Sequence, residues 1–263
     1  MNVKRTALAA GIGLFGVWSM ATWVLEGRIQ TLLRPEAVID RIVYALVGNL
    51  LLGIGVGLAG IVYFVRNGAF DAESAGLGSM RRTLAAVAAG LALGFGLYVV
   101  LSPPTMHPVV ILNAFSQVFV VSAAEVVVCW AVVGVSAEAV LGREWRKTVQ
   151  AALVAAVLFG LYHFAHSPPF NTWTMVGFLT IVGLGTGAFF FVSRDVLGTA
   201  LFHNFLGTLG VLQALAKADA LSTLERVQPT LIGTAAVGVG TLLALRFVAR
   251  KQDGSRTHQP VAA

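Results

Sequence analysis

Charge is what this chain has least of. Among 263 residues only 12 are Asp or Glu and 18 are Lys or Arg, roughly 11% where a soluble domain carries about 25%. That scarcity, with 57% hydrophobic residues and a mean hydropathy of +0.83, excludes water as the main solvent of the fold. Cysteine is nearly missing: Cys129 stands alone, so no intrachain disulfide and no cysteine metal cluster can form. Alternating segments of about ten residues, the mark of a membrane β-barrel, are absent. No polar stretch is long enough for a soluble domain, the longest being Glu26 to Arg41, Arg66 to Arg82 and the tail after Arg250. No internal repeat is visible, which argues against an inverted-repeat transporter.

What the chain does have is apolar runs. A helix crossing a hydrocarbon core of about 30 Å needs about 20 residues, and such runs lie near Ala7 to Leu25, Ile42 to Val65, Thr83 to Leu101, Val109 to Val140, Thr148 to His166, Trp173 to Val192, Val196 to Ala216 and Thr230 to Ala249. The expected fold is all-α, a polytopic transmembrane helical bundle of about eight spans. Lys4 and Arg5 before the first run, with small residues from Ser19 to Ala21, leave open a cleaved signal peptide. With eight spans, 13 basic residues fall on the side of the termini and 5 on the other. The positive-inside rule then puts both termini in the cytoplasm, and the expected location is the plasma membrane of a prokaryote. The chain divides into three N-terminal spans (1–108), a core of four spans (109–216), and a last span with a tail (217–263). Gly254, Ser255 and Pro260 make that tail read as disordered and solvated. Pro103, Pro104, Pro108, Pro168 and Pro169 end spans. Gly53 with Gly57, Gly90 with Gly94, and Gly183 with Gly187 are small-residue pairs that read as helix-packing faces.

The informative residues are ionisable ones deep in these runs, because a mid-membrane charge costs at least about 2.5–3.5 kcal/mol. Most acids, including Glu26 and Asp195, read as lying in loops, termini or span ends, and Glu138 lies near the basic end of its span. Only Glu125 is central. Of the histidines, His163, His166 and His203 lie in spans. A carboxylate and imidazoles drawn from three apolar spans are most economically turned toward one another. Such a group can hold a water and take its proton, which is hydrolytic chemistry. The bland alternative is a protonated Glu125 used for packing, with histidines that merely hydrogen-bond between helices.

At these residues the chain resembles the CPBP intramembrane proteases, the family of CAAX prenyl endopeptidases and bacterial Abi-type proteins, over roughly Phe115 to Leu212. FGLYH, from Phe159 to His163, matches the FxxxH motif. LFHNFLG keeps the histidine of the third motif as His203, but Gly207 stands where the pattern has an amide, and Asn204 is the nearest one. EVVVCW, from Glu125 to Trp130, keeps the leading glutamate of EExxxR and replaces its second glutamate and arginine with Val126 and Trp130. Losing both partners of a buried pair leaves no orphan charge. The alternative register would align Ala124 and Glu125 with the two glutamates and Cys129 with the arginine.

The resemblance implies that Glu125 activates water, that His163 helps to hold it, that His203 orients or stabilises the tetrahedral intermediate, and that Asn204 is the candidate oxyanion donor. It implies an endopeptidase acting on a peptide or membrane-protein substrate, with membrane lipid as its surroundings and no nucleic-acid partner. Ser122 and Cys129, three before and four after Glu125, are expected to line the same pocket. No metal ligand is assigned. Zinc stays open, since Glu125, His163 and His203 would supply three ligands, and His163 with His166 gives an HxxH spacing, although His166 beside Ser167 and Pro168 reads more simply as interfacial. Two other functions compete: a non-catalytic scaffold or immunity-type binding protein on the same fold, and a small proton-coupled transporter titrating Glu125.

One conflict is built into these expectations. His203 lies about 10 Å from the start of its span and His163 about 22 Å from the start of its own, at 1.5 Å per residue. Span boundaries must shift, or helices must tilt or break, for the two to meet.

Overall fold

In a computed structural model that describes residues 2–34 and 36–256, the chain is an all-α membrane protein of eight helices long and apolar enough to span a bilayer. They are α1 (Val3–Gly27), α2 (Val38–Arg66), α3 (Met80–Val100), α4 (Pro108–Leu141), α5 (Trp145–Ala165), α6 (Trp173–Ser193), α7 (Val196–Lys217) and α8 (Pro229–Arg256, apolar through Ala249). Helix starts follow local chemistry: Ser79, Thr172 and Asp195 accept from the backbone N–H of Arg82, Met175 and Gly198, satisfying donors that the helix itself leaves open. The last helix continues through Arg256, so the segment from Arg250, expected as disordered tail, is helical that far; 257–263 lie outside the described residues.

The bundle is arranged around α4. Its most apolar stretch is 94% buried inside the protein, against 61% for α7 and 39% or less for every other span. A helix that is apolar on all sides has no solvent-facing stripe, and α4, rich in valine and alanine, is accordingly packed by neighbours all round. The 34-residue span carries a wide-turned π-helical stretch from Val126 to Gly134. Two further such stretches occur, Trp23–Gly27 in α1 and Tyr44–Val56 in α2.

The small-residue pairs are contact faces. A Cβ on Gly90 would lie 2.3 Å from the Gly198 carbonyl oxygen, joining α3 to α7. One on Gly53 would lie 2.5 Å from the Ala124 side chain, and one on Gly57 2.6 Å from Val127, joining α2 to α4. Gly183 faces Phe159 at 2.8 Å, joining α6 to α5.

Three acids read from sequence as loop or span-end residues are buried instead: Glu26, Glu138 and Asp195. Each is buried because it has a partner. Glu138 takes both arms of Arg194 (2.8 and 2.6 Å) and the Thr148 hydroxyl (2.6 Å). Asp195 accepts from Thr83, from the Gly198 amide (2.8 Å) and from Arg246 (3.4 Å). The segment between α2 and α3 is no polar loop either: Ala69, Phe70, Ala72, Ala75 and Leu77 are core residues, and Leu77 pairs with Asp195 as an isolated bridge. This cap lies over the start of α7, which therefore begins inside the protein rather than at its surface. The residues at its start, Asp195 and Val196, are fully buried beneath that cap.

Candidate functional site

Glu125 sits midway along α4, at the last ordinary turn before the π-helical stretch. Such wide turns recur at functional sites, and here all three adjoin the same cavity: Glu26 lies within the first, Tyr44 opens the second, and Glu125 immediately precedes the third. The cavity holds about 340 Å³ and is walled mainly by apolar side chains such as Val121, Phe159, Phe170, Phe178, Leu179 and Leu206. Its polar lining includes Glu125, His163, His166 and His203, with Glu26 beside them and Arg41 and Lys217 also on the wall.

Both motif histidines meet the glutamate. His203 Nε2 lies 3.0 Å from Glu125 Oε2, and His163 Nε2 lies 3.8 Å from Oε1. The first is a hydrogen bond; the second exceeds hydrogen-bond length. Phe159, the first residue of the FxxxH match, is a wedge between the imidazoles, edge-on to His163 at 4.7 Å and to His203 at 5.1 Å. Trp130, at the position of the lost arginine, packs on Phe159 at 5.1 Å. It fills with an apolar ring the place where the resemblance would put a cation.

Proton positions follow from the partners. His163 Nδ1 faces only the Phe159 carbonyl (2.9 Å), so it carries the hydrogen and Nε2 presents a lone pair. Thr186 donates to the Val182 carbonyl (3.1 Å), so its oxygen accepts from His203 Nδ1 (2.9 Å). His203 Nε2 and Glu125 Oε2 then face one another with a single proton shared across 3.0 Å. Glu125 and His203 are a dyad holding one proton, and Oε1 is left free to act.

His166 was expected at the interface and is instead part of the site. Its Nδ1 lies 3.3 Å from Glu26 Oε2, its ring stacks on His163 at 5.2 Å, and its Nε2 is buried without a hydrogen-bond partner. Glu26 also accepts from the Ser167 hydroxyl and, at 2.9 Å, from the Ser167 amide. The turn after α5 is thereby clamped to the end of α1. Gly27 permits the close approach: a Cβ there would lie 2.1 Å from the Ala165 carbonyl oxygen. Behind the clamp, Tyr162 bonds Thr22 (3.0 Å) and Tyr44 (3.2 Å) and stacks on Trp18 at 3.8 Å.

Asn204 is not brought to the carboxylate. Its amide nitrogen donates to the Phe115 carbonyl (2.9 Å) and its oxygen accepts from Ser122 (3.2 Å), so the pair ties α7 to α4. One residue turns a helix by about 100°, which carries Asn204 away from the face of His203. Neither Ser122 nor Cys129 lines the cavity. Gly207 does, and a Cβ there would meet Val118 at 2.9 Å. Gln117, two turns before Glu125 on the same face with Val121 between them, also lines the cavity and makes no hydrogen bond among the described residues. Glu26 escaped sequence reasoning because it sits near a span end, where polarity is ordinary, and Gln117 because an uncharged amide gives little signal; His166 was noted for its HxxH spacing but read as interfacial. Among the described residues, the Glu and His side chains whose ligand atoms converge within 4.8 Å are Glu125, His163 and His166. No family model, curated protein or solved structure matches the chain.

Proposed function

We propose that this chain is an intramembrane endopeptidase of the CPBP type, hydrolysing a peptide bond with water activated at Glu125. The observation that carries the reading is the free Oε1 of Glu125, 3.8 Å from the His163 Nε2 lone pair, at the floor of an apolar cavity within the spans. A water accepted by both groups would lie off the line between them. It gives a proton to Oε1 as its oxygen attacks the peptide carbonyl, and that proton passes to the leaving amine. His203, bonded to Oε2 and anchored on Thr186, fixes the carboxylate. The apolar wall takes the side chains of an extended substrate, and Gln117 offers donors and an acceptor to its backbone.

The substrate is membrane-embedded or membrane-bound peptide. Thirteen of 18 basic residues fall on the side from which the first span starts, which supports a cytoplasmic side there, in a prokaryotic plasma membrane. Glu26, His163, His166 and Lys217 lie at the opposite end, so substrate enters from the outer side. The deciding experiment incubates detergent-solubilised protein with a peptide library and compares it with Glu125→Gln. Cleavage should fall by about 10²–10⁴-fold; equal cleavage by both would sink the reading. One observation favours a non-catalytic binding protein as the second reading: the Asn204 amide is engaged by Phe115 and Ser122 and is not offered to an oxyanion at Glu125. Cleavage that depends on His163 would eliminate it.

A further inference from the structure

We infer that Glu125, His163 and His166 form a binding site for one divalent transition-metal ion, with zinc as its natural occupant, and that Glu26 and His203 are its outer supports. One ligand atom from each of the three converges within 4.8 Å. Tetrahedral zinc with bonds of about 2.0 Å spaces its ligands about 3.3 Å apart, so closure needs at most about 1.5 Å, within reach of side-chain rotation. Two imidazoles and one carboxylate are a borderline donor set that suits zinc, and three ligands leave a fourth position open for water.

The outer contacts point the same way. Metal-bound histidines usually donate their second ring N–H to a carbonyl or carboxylate, which fixes the ring and its tautomer. Here His163 Nδ1 donates to the Phe159 carbonyl at 2.9 Å, and His166 Nδ1 faces Glu26 Oε2 at 3.3 Å. The outer oxygen of Glu125 is held by His203 at 3.0 Å. Each candidate ligand is thus anchored on its far side and bare on its near side. His166 Nε2 is the telling atom, a buried lone pair with no partner, whose cost a bound cation removes. The ion would lower the pKa of a bound water toward about 7. This inference rests on the hydrolytic reading of the same site and alters it: with Glu125 and His163 taken up as ligands, the ion would activate the water in place of the free carboxylate oxygen, and binding is measured without any substrate.

The test uses the full chain purified in detergent, stripped with chelator and reloaded with Zn²⁺ or Co²⁺, with metal content read by mass spectrometry. Wild type should retain close to one equivalent, and Co²⁺ should give the visible absorption of a low-coordinate site. Glu125→Gln and His166→Ala should lose it, Glu26→Gln should weaken it by about 10–100-fold, and the exposed His107→Ala should leave it unchanged. His166→Cys guards against misfolding, since it should add a thiolate-to-Co²⁺ charge-transfer band. A wild type that retains no Zn²⁺ or Co²⁺, or one whose retention survives His166→Ala, overturns the site. Metal bound without peptide cleavage would leave the site standing and remove the protease; cleavage by metal-free protein would leave the protease standing and remove the ion from its reaction.

Discussion

At the scale of single residues, the chemistry of this chain depends on which polar atoms are used up and which are not. Asn204 and Gln117 both carry an amide near the cavity, yet only Gln117 has it free. Asn204→Leu should therefore act on stability, costing about 1–3 kcal/mol for the Ser122 hydroxyl and Phe115 carbonyl left unsatisfied, as read by unfolding in mixed detergent. Gln117→Leu should raise KM and leave kcat nearly unchanged, the mark of lost ground-state binding; a fall in kcat alone would contradict that role. Asp195 and Arg246 are a buried pair at the other end of the bundle. Arg246→Met should cost about 3–5 kcal/mol by stranding a buried carboxylate, and adding Asp195→Asn should restore much of it because no charge then remains.

At the scale of elements, glycine sets how closely helices meet. A Cβ on Gly198 would lie 2.5 Å from the Ala86 carbonyl carbon, a backbone atom that cannot swing aside. Gly198→Ala should thus push α3 from α7 and destabilise by about 1–3 kcal/mol, measured in the same detergent titration. Gly27→Ala acts on function instead: by moving the end of α1 off the Ala165 carbonyl it shifts Glu26 and His166, so cleavage should drop while helical content by circular dichroism stays. The cap between α2 and α3 supplies a pH signature. Burial opposes the charge of Asp71, but the Ser74 hydroxyl and amide and the Arg143 guanidinium outweigh it and hold the carboxyl below its ordinary value of 3.8. Its contribution is therefore present above about pH 4 and fades as pH falls through the lower, folded value. Thermal unfolding followed against pH should show that acid-side loss in wild type and less of it in Asp71→Asn.

At the scale of the whole molecule, the arrangement is a valine-rich post, α4, inside a casing of thinner-buried spans, with the cavity opening between them toward one end. Orientation is testable because Cys129 is fully buried and gives no background with a membrane-impermeant maleimide. Met106→Cys, in the exposed turn between α3 and α4, should label in intact cells. Trp145→Cys, at the exposed start of α5, should label only after permeabilisation. The reverse pattern would invert the topology and move the cavity to the cytoplasmic side.

Sequence by itself determined the solvent, the number of spans and the singular position of Glu125, because hydrocarbon tolerates so few charges that each exception stands out over a run of 20 apolar residues. The pairing of Gly90 and Gly53 with facing helices was legible for the same reason, since close packing in a membrane demands small residues. Tertiary structure decided what local polarity cannot encode. Glu26, Glu138 and Asp195 look like ordinary span-end acids until partners from distant spans bury them, and His166 looks interfacial until α1 folds over it. It also decided that Asn204 is tied to Phe115 and Ser122 while His203, one residue earlier, reaches Glu125 on the same span: a helix turns adjacent residues to different side chains, and only their positions tell which one meets the site.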